Sequence, residues 1–138
     1  MADYYTNFSF ILPLADDAQR QYALNLSHLA SSSRLDETPV PADFPETLRD
    51  AVADWCFELE DTEEGLWLHS GAGGIEAVCA FVQHLLQQFN PSSCITFEWS
   101  HDCSRPRTDA FGGGAAIVTA TEIKTMSTAQ WLRANTNP

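Results

Sequence analysis

The sequence predicts an α+β fold, a ferredoxin-like β-α-β-β-α-β sandwich on a largely antiparallel sheet, with an added C-terminal strand and short helix. Three observations predict it. Segments that alternate with a period of two are interrupted by two helical stripes, in the order β-α-β-β-α-β. Two of those strands are joined by a short polar loop, DTEEG, that ends in glycine as a hairpin should. A length of 138 residues suits one domain with a single core, spanning 1–138, and leaves little room for a second.

Residues 4–12 place Tyr4, Thr6, Phe8, Phe10 and Leu12 on one side and Tyr5, Asn7, Ser9 and Ile11 on the other, which reads as a strand ended by Pro13. Asp16 and Asp17 then supply an N-cap and a favourable charge for a helix. Its stripe is Tyr22, Ala23, Leu26, Leu29 and Ala30, and Ser31 to Ser33 dissolve it. Pro39, Pro41 and Pro45 mark an irregular loop, and Pro45 can start a short helix over 46–53. In the hairpin that follows, Trp55, Phe57 and Leu59 alternate with Cys56, Glu58 and Glu60. After the turn, Leu66 and Leu68 alternate with Trp67 and His69.

The clearest helix carries Ile75, Val78, Cys79, Val82, Leu85, Leu86 and Phe89 on one face, and Asn90-Pro91 stops it. Residues 94–100 form the next strand, with Ile95, Phe97 and Trp99 inward. A long turn, HDCSRPRTDAFGGG, leads to a final strand over 114–120. Ser127 and Gln130 have capping-box spacing for a terminal helix over 128–134. In the ferredoxin-like arrangement the strands lie in the order 4-1-3-2, so the added strand extends the sheet beside strand 4.

Composition narrows the functions. With 44% apolar and 11% aromatic residues the chain is too rich to stay disordered. No apolar run approaches the roughly 20 residues that span a bilayer, and MADYYTNFSF lacks a signal-peptide pattern, so the expected address is cytoplasmic. A formal charge of −12 and a pI near 4.4 argue against direct contact with nucleic acid or an anionic membrane. Between Asp36 and Glu64 lie 11 acids in 29 residues, opposed only by Arg49. Such a run is either a solvated surface or a face that steers towards a basic protein partner. Cys56, Cys79, Cys94 and Cys103 are irregularly spaced and are expected as reduced thiols.

Alternation alone predicts an open sheet face that displays Asn7, Ser9, Glu58, Glu60, Trp67, His69, Thr96, Glu98 and Ser100. Trp67 is the anomaly there. It either lies under the terminal helix or the 35–45 loop, or it anchors a partner. The candidate protein-binding set is Glu58, Glu60, Asp61, Glu63, Glu64, Trp67, His69 and Glu98. A His69–carboxylate pair is suited to acid–base chemistry, but no nucleophile or oxyanion donor accompanies it, so no catalytic residue is assigned. SGAGG before a helix offers amides to an anion yet lacks the phosphate-loop lysine. Cys94, His101 and Cys103, with Asp102, do not have the paired spacing of a zinc site, and neither a metal nor a cofactor is expected. Arg105 and Arg107 are the only clustered bases. With His101 and the Gly112–Gly114 turn they form a candidate anion pocket, or they pair with Asp102 and Asp109.

GLWLHSGAGGIEAV and FGGGAAIVTATEI, with the TMSTAQWL that follows, resemble a group of small acidic bacterial proteins, some carried by plasmids or phages. The resemblance implies a self-contained domain and favours proteins that act on a host or rival component. The leading expectation is therefore a non-enzymatic acidic binding module: an inhibitor, an immunity protein or a nucleic-acid mimic acting on a basic protein. The alternatives are a small enzyme with a His/Glu site on the open sheet face and a structural or assembly subunit that pairs through its edge strands.

Overall fold

The alternating segments and the two stripes fold into an α+β architecture, seen in a computed structural model that describes residues 2–136. In chain order come β1 (Tyr4–Pro13), α1 (Asp17–Asp36), a 3₁₀ segment (Glu46–Asp54), β2 (Glu58–Thr62), β3 (Gly65–Ser70), α2 (Ile75–Phe89), β4 (Cys94–Cys103), β5 (Gly112–Thr119), β6 (Ile123–Ser127) and α3 (Thr128–Thr136). The strands make one six-stranded sheet in the order β2-β3-β1-β4-β5-β6. Every pairing is antiparallel. Read from β4 to the β2 edge, the first four strands run 4-1-3-2, and β5 and β6 extend the sheet beyond them. Among the described residues, no helix is long and apolar enough to cross a membrane.

Alternation fixes which face is buried. Phe10 lies opposite Leu68 and Leu12 opposite Leu66, while Phe97 pairs with Ala116 and Ile95 with Val118. These side chains meet Ala23, Leu26 and Ala30 of α1 and Val78, Phe81, Val82 and Leu85 of α2 in one core. Each fully enclosed aliphatic or Phe side chain contributes about 1.5–3 kcal/mol of burial. The 3₁₀ segment also packs against α2, which explains why Ala77 and Phe81, off the predicted stripe, are buried too. Trp55, 1% exposed, caps the 3₁₀ segment and donates its indole N–H to Ser27 Oγ on α1 at 3.0 Å.

β1 changes neighbours along its length. Residues 4–7 pair with β4 and residues 8–13 with β3. Beyond Asn7 the β1–β4 ladder opens, and the parting is filled on the inner side by Phe10 stacked on Phe97, with centroids 4.6 Å apart and planes 11° apart.

Several boundaries differ from expectation. α1 runs through Ser31–Ser33 to Asp36, where Glu37 turns left-handed and returns its N–H to Ser33 O. Three serines lower helix propensity by only fractions of a kcal/mol each, which packing overrides. Trp55 and Phe57 precede β2 rather than belonging to it, and the hairpin loop is the two residues Glu63–Glu64, since Thr62 pairs with Gly65. β4 extends to Cys103 and β5 begins at Gly112, so His101, Cys103 and the triple glycine are strand rather than turn. A sixth strand, β6, was not anticipated. The glycines admit the inner-face ring of Trp99, which occupies the space a Cβ on Gly114 would need. α3 follows directly, with Ser127 Oγ accepting from Gln130 N at 3.2 Å.

Candidate functional site on the open sheet face

The outer face is positioned by register. Glu58 lies opposite His69, Glu60 opposite Trp67, and His69 in turn opposite Ser9 of β1. Side chains directly opposite on one face stand within contact range, so two carboxylates, an imidazole and an indole converge on a small area. His69 Nε2 is 2.7 Å from Glu60 Oε2 and 3.8 Å from Glu58 Oε2. The imidazole stacks on Trp67 with ring centroids 4.0 Å apart and planes at 28°. Trp67 donates its indole N–H to Ser9 Oγ at 2.8 Å. Each ring is thus fixed by the next: Ser9 holds Trp67, and Trp67 orients His69 between the two carboxylates. What shields Trp67 is this stack and not the terminal helix, because α3 packs on β5 and β6.

Where β1 and β4 part, the same face has a recess of about 410 Å³, lined by Ser9, Thr96, Glu98, Ala115 and Ile117 over Phe10 and Phe97. Glu98 belongs to this recess rather than to the His69 cluster. Asp61 points the other way, towards the helices, where Arg20 Nε donates to it at 2.7 Å. Glu63 and Glu64 form the exposed tip of the hairpin. The acids of the predicted set therefore occupy three places: the face, the tip and the helix side of β2.

Glu58, Glu60 and His69 each offer one donor atom, and the three atoms lie within 4.8 Å of one another. That donor set suits one side of a divalent cation, with water completing the shell. Cys94, His101 and Cys103 form no comparable group. Cys94 stands at one end of β4, whereas His101 and Cys103 share a face at the other, and His101 Nδ1 is hydrogen-bonded to Thr6 Oγ1 at 2.9 Å. The four cysteines are unpaired. Burial, assisted by Glu76, pushes the Cys79 thiol up to about 11.

The glycine turn after β3 is committed to the fold. Ala72 N donates to Ser70 Oγ and Gly73 N to Thr6 O, so these amides are not free for an anion. Gly74, at φ 84°, packs so closely that a Cβ would lie 3.1 Å from Asp54 O. At the β4–β5 end, a recess of about 300 Å³ is lined by Tyr4, His101, Asp102, Asp109, Phe111 and Thr128 among others. Asp102 and Asp109 line it, and Arg105 and Arg107 do not. Neither arginine forms an ion pair with Asp102 or Asp109 among the described residues. Asp102 instead accepts from Asn7 Nδ2 at 3.2 Å.

No family model, no curated protein and no solved structure matches the chain. The chemistry rests on the site alone.

Two features of this face go beyond the alternation pattern. The parting of β1 from β4 is a tertiary event with no local signal. The stack of Trp67 on His69 had one signal, their i, i+2 spacing on a strand, which puts both on the same face.

Proposed function

We propose that this domain is a non-enzymatic acidic binding module that docks on a basic protein surface, as an inhibitor, an immunity protein or a mimic of nucleic-acid charge would. One observation carries this reading: charge is segregated along the chain. The segment from Asp36 to Glu64, with eleven acids and one base, builds the end of α1, the 3₁₀ segment and the β2 edge. Four of the seven bases come after residue 100, in the β4–β5 loop, β6 and α3 towards the opposite edge. Few of the acids are neutralised internally: Asp61 by Arg20 and Glu46 by Arg49. The remaining field steers a cationic surface towards the β2 side, where Trp67 supplies apolar area and the hairpin tip supplies Glu63 and Glu64. We also read the fold as ferredoxin-like with β5, β6 and α3 appended. The order 4-1-3-2 of the first four strands supports this.

The test is a nuclease-treated pull-down from host lysate, washed at low and at high salt, beside a variant with Glu58, Glu60, Glu63 and Glu64 all changed to Gln. A basic protein held at low salt, released at high salt and missed by the variant is the expected result. Retention indifferent to both salt and the four substitutions would refute the reading.

A further inference from the structure

We propose that the groove between α1 and the free edge of β2 binds an extended segment of a partner by strand addition, and that this segment alternates basic with apolar residues. The inference deepens the acidic-module reading and rests on it.

The groove measures about 410 Å³ and is lined by Leu24, Ser27, His28 and Ser31 of α1 and by Phe57, Glu58, Leu59 and Glu60. The helical residues are spaced i, i+3, i+4 and i+7, which is one face of a helix. The other four are consecutive. Successive strand residues point to opposite faces, so four in a row line one groove only if the groove runs along the strand's edge. β2 is the terminal strand of the sheet, and alternate residues along it turn their N–H and C=O away from β3. A backbone edge facing a helix across a groove is the geometry in which extended peptides add to a sheet, with main-chain hydrogen bonds for affinity and side-chain pockets for specificity.

The occupant's chemistry follows from the two sides of β2. On the open face Glu58 and Glu60 stand at the edge with 75% and 54% of their side chains exposed, and each would lie beside a side chain of an added strand. Like charges there are unfavourable, so those positions call for Lys or Arg. On the helix side Phe57, Leu59 and Leu24 call for apolar residues. The ion pair of Arg20 with Asp61 pins α1 to β2 just beyond one end of the groove. A second copy of the chain is a poor occupant, because β2 against β2 would bring Glu58 and Glu60 of both copies together.

The probe is a seven-residue capped peptide alternating lysine and valine. Beside it run a glutamate–valine counterpart and a lysine–valine peptide N-methylated at alternate residues, which keeps its charge and loses one hydrogen-bonding edge. Binding is measured by titration calorimetry, and hydrogen exchange reads the amides of residues 57–61. The lysine–valine peptide should bind and slow exchange in 57–61, the N-methylated one should bind at least tenfold more weakly, and the glutamate one not at all. Ser31→Arg, which fills the groove from α1, should weaken binding at least tenfold with an unchanged circular dichroism spectrum. His28→Trp serves if that variant misfolds. Equal binding of the parent and N-methylated peptides would overturn strand addition while leaving the acidic-module reading intact. So would salt-sensitive capture of a basic protein without any peptide binding. Absence of both kinds of binding would overturn the two together.

Discussion

Ser27→Ala removes one hydroxyl whose position makes its loss measurable. Trp55 is 1% exposed, and its indole N–H has Ser27 Oγ as partner at 3.0 Å, joining the end of the 3₁₀ segment to the middle of α1 across 28 residues of chain. Deleting the acceptor forfeits the bond and strands a buried donor, which costs about 1–3 kcal/mol. Alanine recovers up to roughly 0.5 kcal/mol of helix propensity over serine, so the net loss should be about 1–2 kcal/mol. For a chain of this size that lowers Tm by about 3–10 °C. Ser31→Ala is the matched control: the same substitution on the same helix one turn on, at a half-buried site, with only the propensity gain to show. Urea unfolding followed by tryptophan fluorescence and circular dichroism should give a lower midpoint for Ser27→Ala at unchanged slope, and an equal or slightly higher one for Ser31→Ala. Identical midpoints for the two variants would refute the reasoning, since the indole N–H would then be satisfied without Ser27.

Two further predictions concern packing and pH. Gly114→Ala places a Cβ against the Trp99 ring and Met126 O and should destabilise by about 1–3 kcal/mol in urea unfolding. Gly71→Ala, where the new Cβ would meet only Asn7 Oδ1 at 3.4 Å, should stay within about 1 kcal/mol of the parent, and the reverse ranking would disprove the role of Trp99. His84, 7% exposed and hydrogen-bonded to Tyr22 Oη at 2.7 Å, is held below its ordinary value of 6.5 by burial. The unfolded chain therefore binds a proton that the native state resists. The His84 contribution to stability should be level above pH 6.5 and fall as pH drops from 6.5 towards the depressed native value. His84→Gln should flatten that slope, and equal slopes for parent and variant would rule His84 out.

How much was legible depended on whether the signal was local. Residues Ile75–Phe89 could be read because a single 3.6-residue stripe ends at Asn90-Pro91. The outer-face set could be read because strand alternation is strict, and the pairs Glu58–His69 and Ser9–His69 put these residues on one face. Trp55 and Phe57 alternate like a strand, yet Trp55 is drawn into the core by a partner 28 residues away, which no period reveals. β6 escaped because IKTMS is short and its side chains are exposed or only half-buried, leaving little hydrophobic pattern to detect. The extension of β4 and β5 into the glycine-rich stretch was hidden for the opposite reason. Glycine usually marks a turn, but here it makes room for Trp99.

On the proposed reading, the acid on β2 selects a partner as well as aiding solubility, and the two sheet edges bear on this. β2 and β6 are both five-residue edge strands and both need protection from indiscriminate pairing. β6 passes straight into α3, which packs back on β5 and β6. β2 instead turns through Glu63–Glu64 into β3. Its edge faces a groove walled by α1, and it carries the charge of Glu58 and Glu60. Charge guards an edge against like-charged strands but not against cationic ones. On the proposed reading, carboxylates on β2 disfavour a second copy of this acidic chain and leave the same backbone open to a basic partner.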